Sequence, residues 1–146
     1  MKNSFAIFLV LTSFLLVGCE PQLGGWPAFK WKVISVSNPT EISVGIGKDK
    51  KQDYSYVLIR SKADAGSVEL NVDNYSPWLS DIRTEFETER PKEDYHYRAY
   101  EWGDIILEGS SVRLNFTNLS ESYQGESITI HLDAGDAFSR IIIERV

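Results

Sequence analysis

The sequence predicts an all-β protein, an antiparallel β-sandwich of about seven to nine strands, preceded by a segment that is removed during export. Three observations support this fold class. Apolar and polar residues alternate with a period of two along several segments, and clusters of turn-forming residues separate those segments. The chain also ends in the apolar run 141–143, which is typical of a strand buried on both faces.

The first segment, residues 1–18, is typical of a secretory signal peptide. Lys2 is followed by an apolar run from Phe5 to Val17 that only Thr12 and Ser13 interrupt. As a helix this run would span about 20 Å, less than the roughly 30 Å hydrocarbon core of a bilayer. We therefore expect the segment to be cleaved rather than to remain as a membrane-spanning helix.

The tetrapeptide Leu16-Val17-Gly18-Cys19 resembles a bacterial lipobox. This resemblance implies diacylglycerol on the Cys19 sulfur, cleavage before this residue, and acylation of its new amino group, so that Cys19 is the membrane anchor. Cys19 is the only cysteine, so no intramolecular disulfide can form. Glu20 lies where an aspartate would signal retention at the inner membrane, which favours the outer membrane, with the domain either periplasmic or surface-exposed.

Residues 19–28 are interpreted as the lipidated cysteine and a flexible tether, because they contain two prolines and adjacent glycines without periodicity. Residues 29–146 then form the β-sandwich domain. Within it, Val68, Leu70 and Val72 alternate with polar residues, as expected of a half-buried strand. Strands are expected at residues 31–36, 42–46, 54–60, 68–72, 112–116, 128–132 and 140–146. Turns are expected at residues 38–39, 47–53, 65–66, 108–110, 124–125 and 133–136.

Two regions allow alternative interpretations. Residues 95–108 form either one long strand or two strands with a break at Gly103-Asp104. In residues 76–94, the pair Ser76-Pro77 could begin a helix with Leu79 and Phe86 on one face. Residues 82–89 also alternate with a period of two, and this pattern favours a strand.

Two stretches resemble the BACON-type, immunoglobulin-like modules of Bacteroidota surface lipoproteins. The first is Ala65–Val72, leading to Trp78, and the second is Gly125–Ile130, followed by Ile141–Glu144. The resemblance implies an immunoglobulin-like sandwich that serves as a non-catalytic spacer or binding module in a glycan-handling or adhesive surface system.

Aromatic residues are the main candidates for ligand binding, because flat rings stack on the apolar side of a sugar. The densest stretch contains Tyr95, Tyr97, Tyr100 and Trp102. A period of two puts Tyr95 with Tyr97 on one face and Tyr100 with Trp102 on the other, so at least one pair should point into the core.

We name Trp102, Tyr100 and Trp78 as the candidate ligand-binding residues. For each of them, packing within the protein is the competing interpretation. Trp31 and Trp78 in particular lie at the ends of expected strands, where a large ring can close the space between two sheets. Trp26, in the tether, should be exposed.

The charged residues do not indicate catalysis. The carboxylates of Glu85, Glu87, Glu89, Glu93 and Asp94 are interleaved with basic residues, as in a solvated edge strand. Residues 133–136 are better interpreted as a hairpin turn than as a calcium loop, which needs more oxygen ligands. His96 and His131 are the only histidines, and no nucleophile or metal motif accompanies them. We expect no enzyme activity, no metal and no cofactor.

The formal net charge of −6 disfavours nucleic acid as a partner. Three functions remain. The first is a lipid-anchored binding or adhesion module with a glycan or protein ligand. The second is a structural or assembly lipoprotein that holds a protein partner at the outer membrane through an edge strand or an acidic surface. The third is a carboxylate-pair hydrolase, which needs two acidic groups about 5 to 9.5 Å apart, and the sequence identifies no such pair.

Overall fold

The computed structural model describes residues 26–49, 54–80 and 95–146. The expected signal peptide, the lipid on Cys19 and most of the tether lie outside the described residues. So do the segment 81–94 and the carboxylate cluster within it, so the choice between helix and strand there stays open.

The described residues form ten strands and one short 3-10 helix, Glu121–Tyr123. The strands are β1 (Trp31–Val36), β2 (Ile42–Asp49), β3 (Tyr54–Ser61), β4 (Gly66–Val72), β5 (Trp78–Leu79), β6 (Tyr97–Tyr100), β7 (Gly103–Glu108), β8 (Ser111–Phe116), β9 (Ser127–Ala134) and β10 (Ala137–Arg145). The count exceeds the expected seven to nine because residues 95–108 contain two strands and because β5 has only two residues.

The strands form two sheets of five, which confirms the all-β sandwich. The first sheet has the order β1-β4-β8-β7-β6, and the second has the order β2-β3-β10-β9-β5. The expectation of purely antiparallel pairing is wrong at one place, because β10 runs parallel to β3, with Arg140 opposite Tyr56. Between β3 and β10 the chain forms β4, β6, β7 and β8 of the first sheet. No hairpin therefore connects β3 to β10 and determines their relative direction.

Glycines determine two of the reversals. Gly135 has a left-handed backbone (φ 68°) in the tight turn between β9 and β10, which confirms the hairpin expected at residues 133–136. The break between β6 and β7 lies at Glu101 and Trp102, just before the expected position. Gly103 follows with φ 154°, and a Cβ there would overlap the carbonyl oxygen of Asn115, so this close approach requires glycine.

The core lies between the sheets and is built from the inward positions of the alternating strands. The expected inward residues of β4 and β8 are all buried, as are Leu132 of β9 and Ile141 and Ile143 of β10. Each fully buried side chain of this kind contributes about 1.5–3 kcal/mol. Ile142, on the outer side of β10, is only half-buried, so the C-terminal run is buried on one face rather than on both.

A polar network crosses the core near the β9–β10 hairpin. Trp31 Nε1 donates a hydrogen bond of 2.8 Å to Ser139 Oγ, and Ser139 Oγ donates to the carbonyl of Ser55. Ser55 Oγ in turn donates to the carbonyl of Phe29 at 2.7 Å. Because these buried groups satisfy one another, they connect β1 of the first sheet to β3 and β10 of the second. Trp31 is therefore the core anchor that the sequence suggested.

Residues 26 and 27, at the end of the expected tether, make hydrogen bonds to the domain, although the Trp26 ring is exposed as expected. Trp26 Nε1 donates a hydrogen bond of 2.9 Å to Asp136 Oδ2 in the β9–β10 turn. The Tyr75 hydroxyl donates a hydrogen bond of 2.7 Å to the carbonyl of Pro27. The chain therefore joins the folded domain at the end of the sandwich that carries this hairpin.

Candidate binding face

Trp102 and Tyr100 form the inward pair of the aromatic stretch, as the alternation allowed. Trp102 is only 3% exposed, and its ring is stacked on Tyr100, with centroids 4.9 Å apart and 11° between the planes. Phe116 packs against Trp102, and the Arg98 guanidinium lies 5.5 Å from the centre of the Tyr100 ring. The Trp102 ring is therefore packed within the protein, whereas the Tyr100 ring is only half-buried, and ligand binding by these two residues stays a prediction.

Trp78 lies at the surface rather than in the core. It is 37% exposed, so its interpretation as a core anchor is wrong. It lies on β5, the edge strand of the second sheet, whereas its neighbour Leu79 points inward and is buried. Since side chains alternate across a strand, Trp78 points outward, and its role in ligand binding stays a prediction.

The outer side of the second sheet carries a group of aromatic and charged residues that we call the aromatic face. One row across the strands consists of Trp78 on β5, Asp133 on β9 and Phe138 on β10, each directly opposite the next. Phe138 is 47% exposed. Adjacent strands lie about 4.8 Å apart, so the backbones of the two aromatic residues are roughly 10 Å apart with the carboxylate between them. The remaining members are Tyr54, Tyr56 and Arg140.

Arg140 and the two tyrosines form a packed floor beside this row. The Arg140 guanidinium lies 5.3 Å from the ring centre of Tyr54 and 5.8 Å from that of Tyr56. The Tyr54 ring also contacts Phe138, with centroids 5.0 Å apart. As a result Tyr54 is only 6% exposed although it lies on the outer side of its sheet. These cation–π and ring contacts hold Phe138 in place before any ligand arrives.

Gly47 makes room for this arrangement. It lies opposite Tyr56 on the neighbouring strand β2, and a Cβ at this position would overlap the Tyr56 ring. The missing side chain therefore lets the ring lie over the backbone of β2. Gly45, two residues earlier on the same side of the strand, has no atom near the position of a Cβ.

Asp133 lies half-buried between the two exposed rings. Desolvation by its surroundings raises the pKa of this carboxyl above its usual range, while a hydrogen bond from Ser80 and the charge of His131 oppose the shift. The carboxylate is a hydrogen-bond acceptor that is partly withdrawn from water. It therefore favours a ligand that brings hydrogen-bond donors.

Four members of the aromatic face were not predicted from the sequence as site residues: Phe138, Tyr54, Tyr56 and Arg140. Asp133 was expected in a hairpin turn. One signal was present. On β10 the small residues Ala137 and Ser139 point inward while Phe138 and Arg140 point outward, which reverses the usual placing of large side chains. An aromatic residue at an outward position between two small residues indicates a surface with a purpose other than packing the core.

Within residues 26–49, 54–80 and 95–146, no group of three or more histidine, cysteine, aspartate or glutamate side chains is placed to hold a metal ion. His131 lies on the outer side of β9, whereas His96 is exposed next to β6. In the same part of the chain, no helix has the length and apolar character needed to cross a membrane.

The fold and this face together define a β-sandwich with an exposed, preorganised aromatic surface. No protein-family model matches the chain, and no curated protein matches it. Among solved structures, it is similar to the NMR structure of a protein from Bacteroides thetaiotaomicron, with 19% identity and a TM-score of 0.47. That match covers 82% of this chain and 88% of the other.

Proposed function

We propose that this protein is a lipid-anchored, non-catalytic module of the cell envelope that binds carbohydrate through the aromatic face. The observation that carries the proposal is the row of Trp78, Asp133 and Phe138. It presents two exposed rings on one side of a sheet with a carboxylate between them.

This arrangement suits the mixed chemistry of a sugar. The apolar C–H side of a pyranose stacks on an aromatic ring, and its hydroxyls donate hydrogen bonds to a carboxylate. The floor of Tyr54, Tyr56 and Arg140 supports Phe138, so little side-chain freedom has to be lost when the ligand binds.

The envelope location depends on the sequence features of residues 1–20. A lipid on Cys19 would hold the domain at a membrane, and two or three acyl chains make such anchoring stable where one would be marginal. Mass spectrometry of the mature protein tests this part directly. We expect an N-terminal peptide that begins at Cys19 and carries a diacylglycerol, and a peptide that retains residues 1–18 would contradict the assignment.

The binding function is tested with the full-length protein in detergent micelles and a panel of immobilised polysaccharides. We expect saturable retention on at least one of them, and loss of this retention in Phe138→Ala and in Trp78→Ala. Tyr97→Ala is the matched control, because Tyr97 is an exposed ring on β6 of the other sheet. Retention that survives both substitutions on the aromatic face, or no retention on any polymer, would refute the carbohydrate function.

A second candidate function, holding a protein partner, is favoured by the edge strand β2. Within the described part of the chain, only β3 pairs with it. From Ile42 to Gly47 it carries neither a charge nor a proline, and Ile46 is 48% exposed. By contrast, β1 at the corresponding edge of the first sheet has a bulge between Val33 and Ser35. An edge without such protection is a template on which an extended protein segment can add a strand.

This alternative is tested by cross-linking in intact cells, with the covalent adduct identified by mass spectrometry. A charge at the edge, as in Ile46→Lys, should abolish an adduct with an envelope protein. Ile34→Lys, at the bulge of β1, is the control that should keep it. If the two variants behave alike, β2 is not the docking edge.

A further inference from the structure

We infer that the aromatic face selects uncharged glycans and rejects acidic ones, and that Asp133 is the residue that makes this selection. The inference rests on the proposed carbohydrate function and names the class of ligand that the face accepts. It follows from the position of one carboxylate in relation to the surfaces on which a sugar would lie.

Asp133 lies where a bound sugar could not avoid it. It is directly opposite Phe138 on one side and directly opposite Trp78 on the other, and all three side chains point away from the core. A sugar chain that contacts both rings must therefore pass over the carboxylate. Neutral sugars offer hydroxyl donors there, whereas a uronic or sialic acid would bring a second negative charge.

Within the described residues, Asp133 interacts with Ser80 and His131, and the arginine salt bridges there involve other carboxylates. Ser80 donates a hydrogen bond to Asp133, and the charge of His131, two residues earlier on the outer side of β9, lowers the cost of the Asp133 charge. The nearest arginine on the face, Arg140, holds its guanidinium over the rings of Tyr54 and Tyr56 on β3, the side away from β9. Asp136, in the adjoining turn, adds a further carboxylate, which accepts a hydrogen bond from Trp26.

Two physical effects favour the same class of ligand. A partly desolvated carboxylate gains more from a hydroxyl donor than a fully hydrated one does. Like charges brought within a few ångströms at a partly buried site repel strongly, and salt screens them less than on an open surface. The net charge of the whole chain, −6, adds a weaker repulsion at longer range.

The experiment compares each polysaccharide that the full-length protein retains with the same polymer after oxidation of its C6 hydroxyls to carboxylates. We expect the oxidised polymer to bind at least about tenfold more weakly. In Asp133→Asn, binding of the neutral polymer should weaken about fivefold, and the ratio between the two polymers should fall towards one. Glu108→Gln makes the same change of net charge on the other sheet and should leave that ratio unchanged.

The possible failures are distinguishable. Equal retention of neutral and oxidised polymers, with both still dependent on Phe138, would overturn the selection while keeping the binding face. A ratio that shifts equally in Asp133→Asn and Glu108→Gln would assign the selection to net charge and overturn the role of Asp133. Binding independent of Phe138 and Trp78, or no binding at all, would overturn the carbohydrate function and the selection together.

Discussion

The two outer faces of the sandwich are built on the same alternation, yet they differ in what they expose. On the first sheet, one row across the strands places Tyr97, Ile106, Arg113 and Glu69 side by side, so that opposite charges are neighbours. Next to it, Asn115 Nδ2 donates a hydrogen bond of 2.8 Å to Asp104. The second sheet instead carries the aromatic face, where rings pack on one another and on a guanidinium.

On the first sheet, water solvates the outward side chains. On the second sheet, the outward side chains pack on one another. Polar neighbours on the first sheet remain hydrated, as is usual for the open side of an antiparallel sheet. On the second sheet Tyr54 is withdrawn from water without belonging to the core, which makes the face rigid and partly dry. Exposed rings on a rigid face of this kind are the observation on which the proposed carbohydrate function depends.

The largest effect is expected from removing the ring that supports this face. Tyr54→Ala should lower the free energy of unfolding by about 3 kcal/mol, because it deletes a nearly buried ring and its contacts with Phe138 and Arg140. Tyr97→Ala on the first sheet should cost less than about 0.5 kcal/mol. Urea unfolding followed by tryptophan fluorescence measures both. Equal costs would show that the two outer faces do not differ in rigidity.

The next effect concerns binding rather than stability. The double variant Trp78→Ala/Phe138→Ala should reduce affinity for a retained polysaccharide about thirtyfold, which corresponds to roughly 2 kcal/mol. The reason is the loss of both exposed stacking surfaces of the row. Isothermal titration with soluble oligosaccharides of that polymer gives the affinity. Tyr97→Ala, on β6 of the other sheet, keeps the row intact, and a comparable loss in that control would relocate the site.

A smaller effect distinguishes two glycines on β2. Gly47→Ala should be about 1 kcal/mol less stable than Gly45→Ala, because only the first places a Cβ against the Tyr56 ring. The ring would have to swing away and lose its contact with Arg140. Thermal unfolding ranks the two variants, and a rank in the opposite order would mean that Tyr56 is not packed over β2.

The smallest effect is a dependence of stability on pH. The pKa of Asp133 is raised above its ordinary value of 3.8, so the folded protein holds this proton more tightly than the unfolded chain. Ionised Asp133 therefore lowers the free energy of unfolding, and this loss has its full size at pH values above the pKa in the folded protein. The loss disappears as the pH falls below 3.8. Asp133→Asn should have the higher Tm at pH 7 and lose this advantage near pH 3.5. A constant difference across this range would contradict the desolvation.

The sequence predicted the fold well because the fold depends on periodicity. Alternation located the inward residues of β4 and β8, and glycine marked the hairpin at Gly135. Periodicity did not predict the parallel pairing of β10 with β3. The relative direction of two strands that are distant in the chain depends on the path of the chain between them. The two-residue strand β5 is too short to show any period.

The binding face was harder to predict, because composition does not show which side of a strand a ring occupies. Trp102 and Trp78 are the same residue type near the ends of strands, yet one is buried and the other exposed. The row of Trp78, Asp133 and Phe138 joins strands that are separated by up to 60 positions in the chain. Only the register of the sheet brings them together, and no local pattern encodes that register.

The hydrogen bond between Trp26 and Asp136 determines where the N-terminal chain meets the folded domain, and this position has a consequence for the proposed lipid anchor. In the lipidated form, the chain from Cys19 to Trp26 would connect the lipid to the domain, and it can span at most about 25 Å. Asp136 lies in the turn two residues before Phe138, so this connecting segment meets the domain beside the aromatic face. Under the proposed lipidation of Cys19, the aromatic face would stay close to the bilayer, and the proposed glycan ligands would have to reach it there.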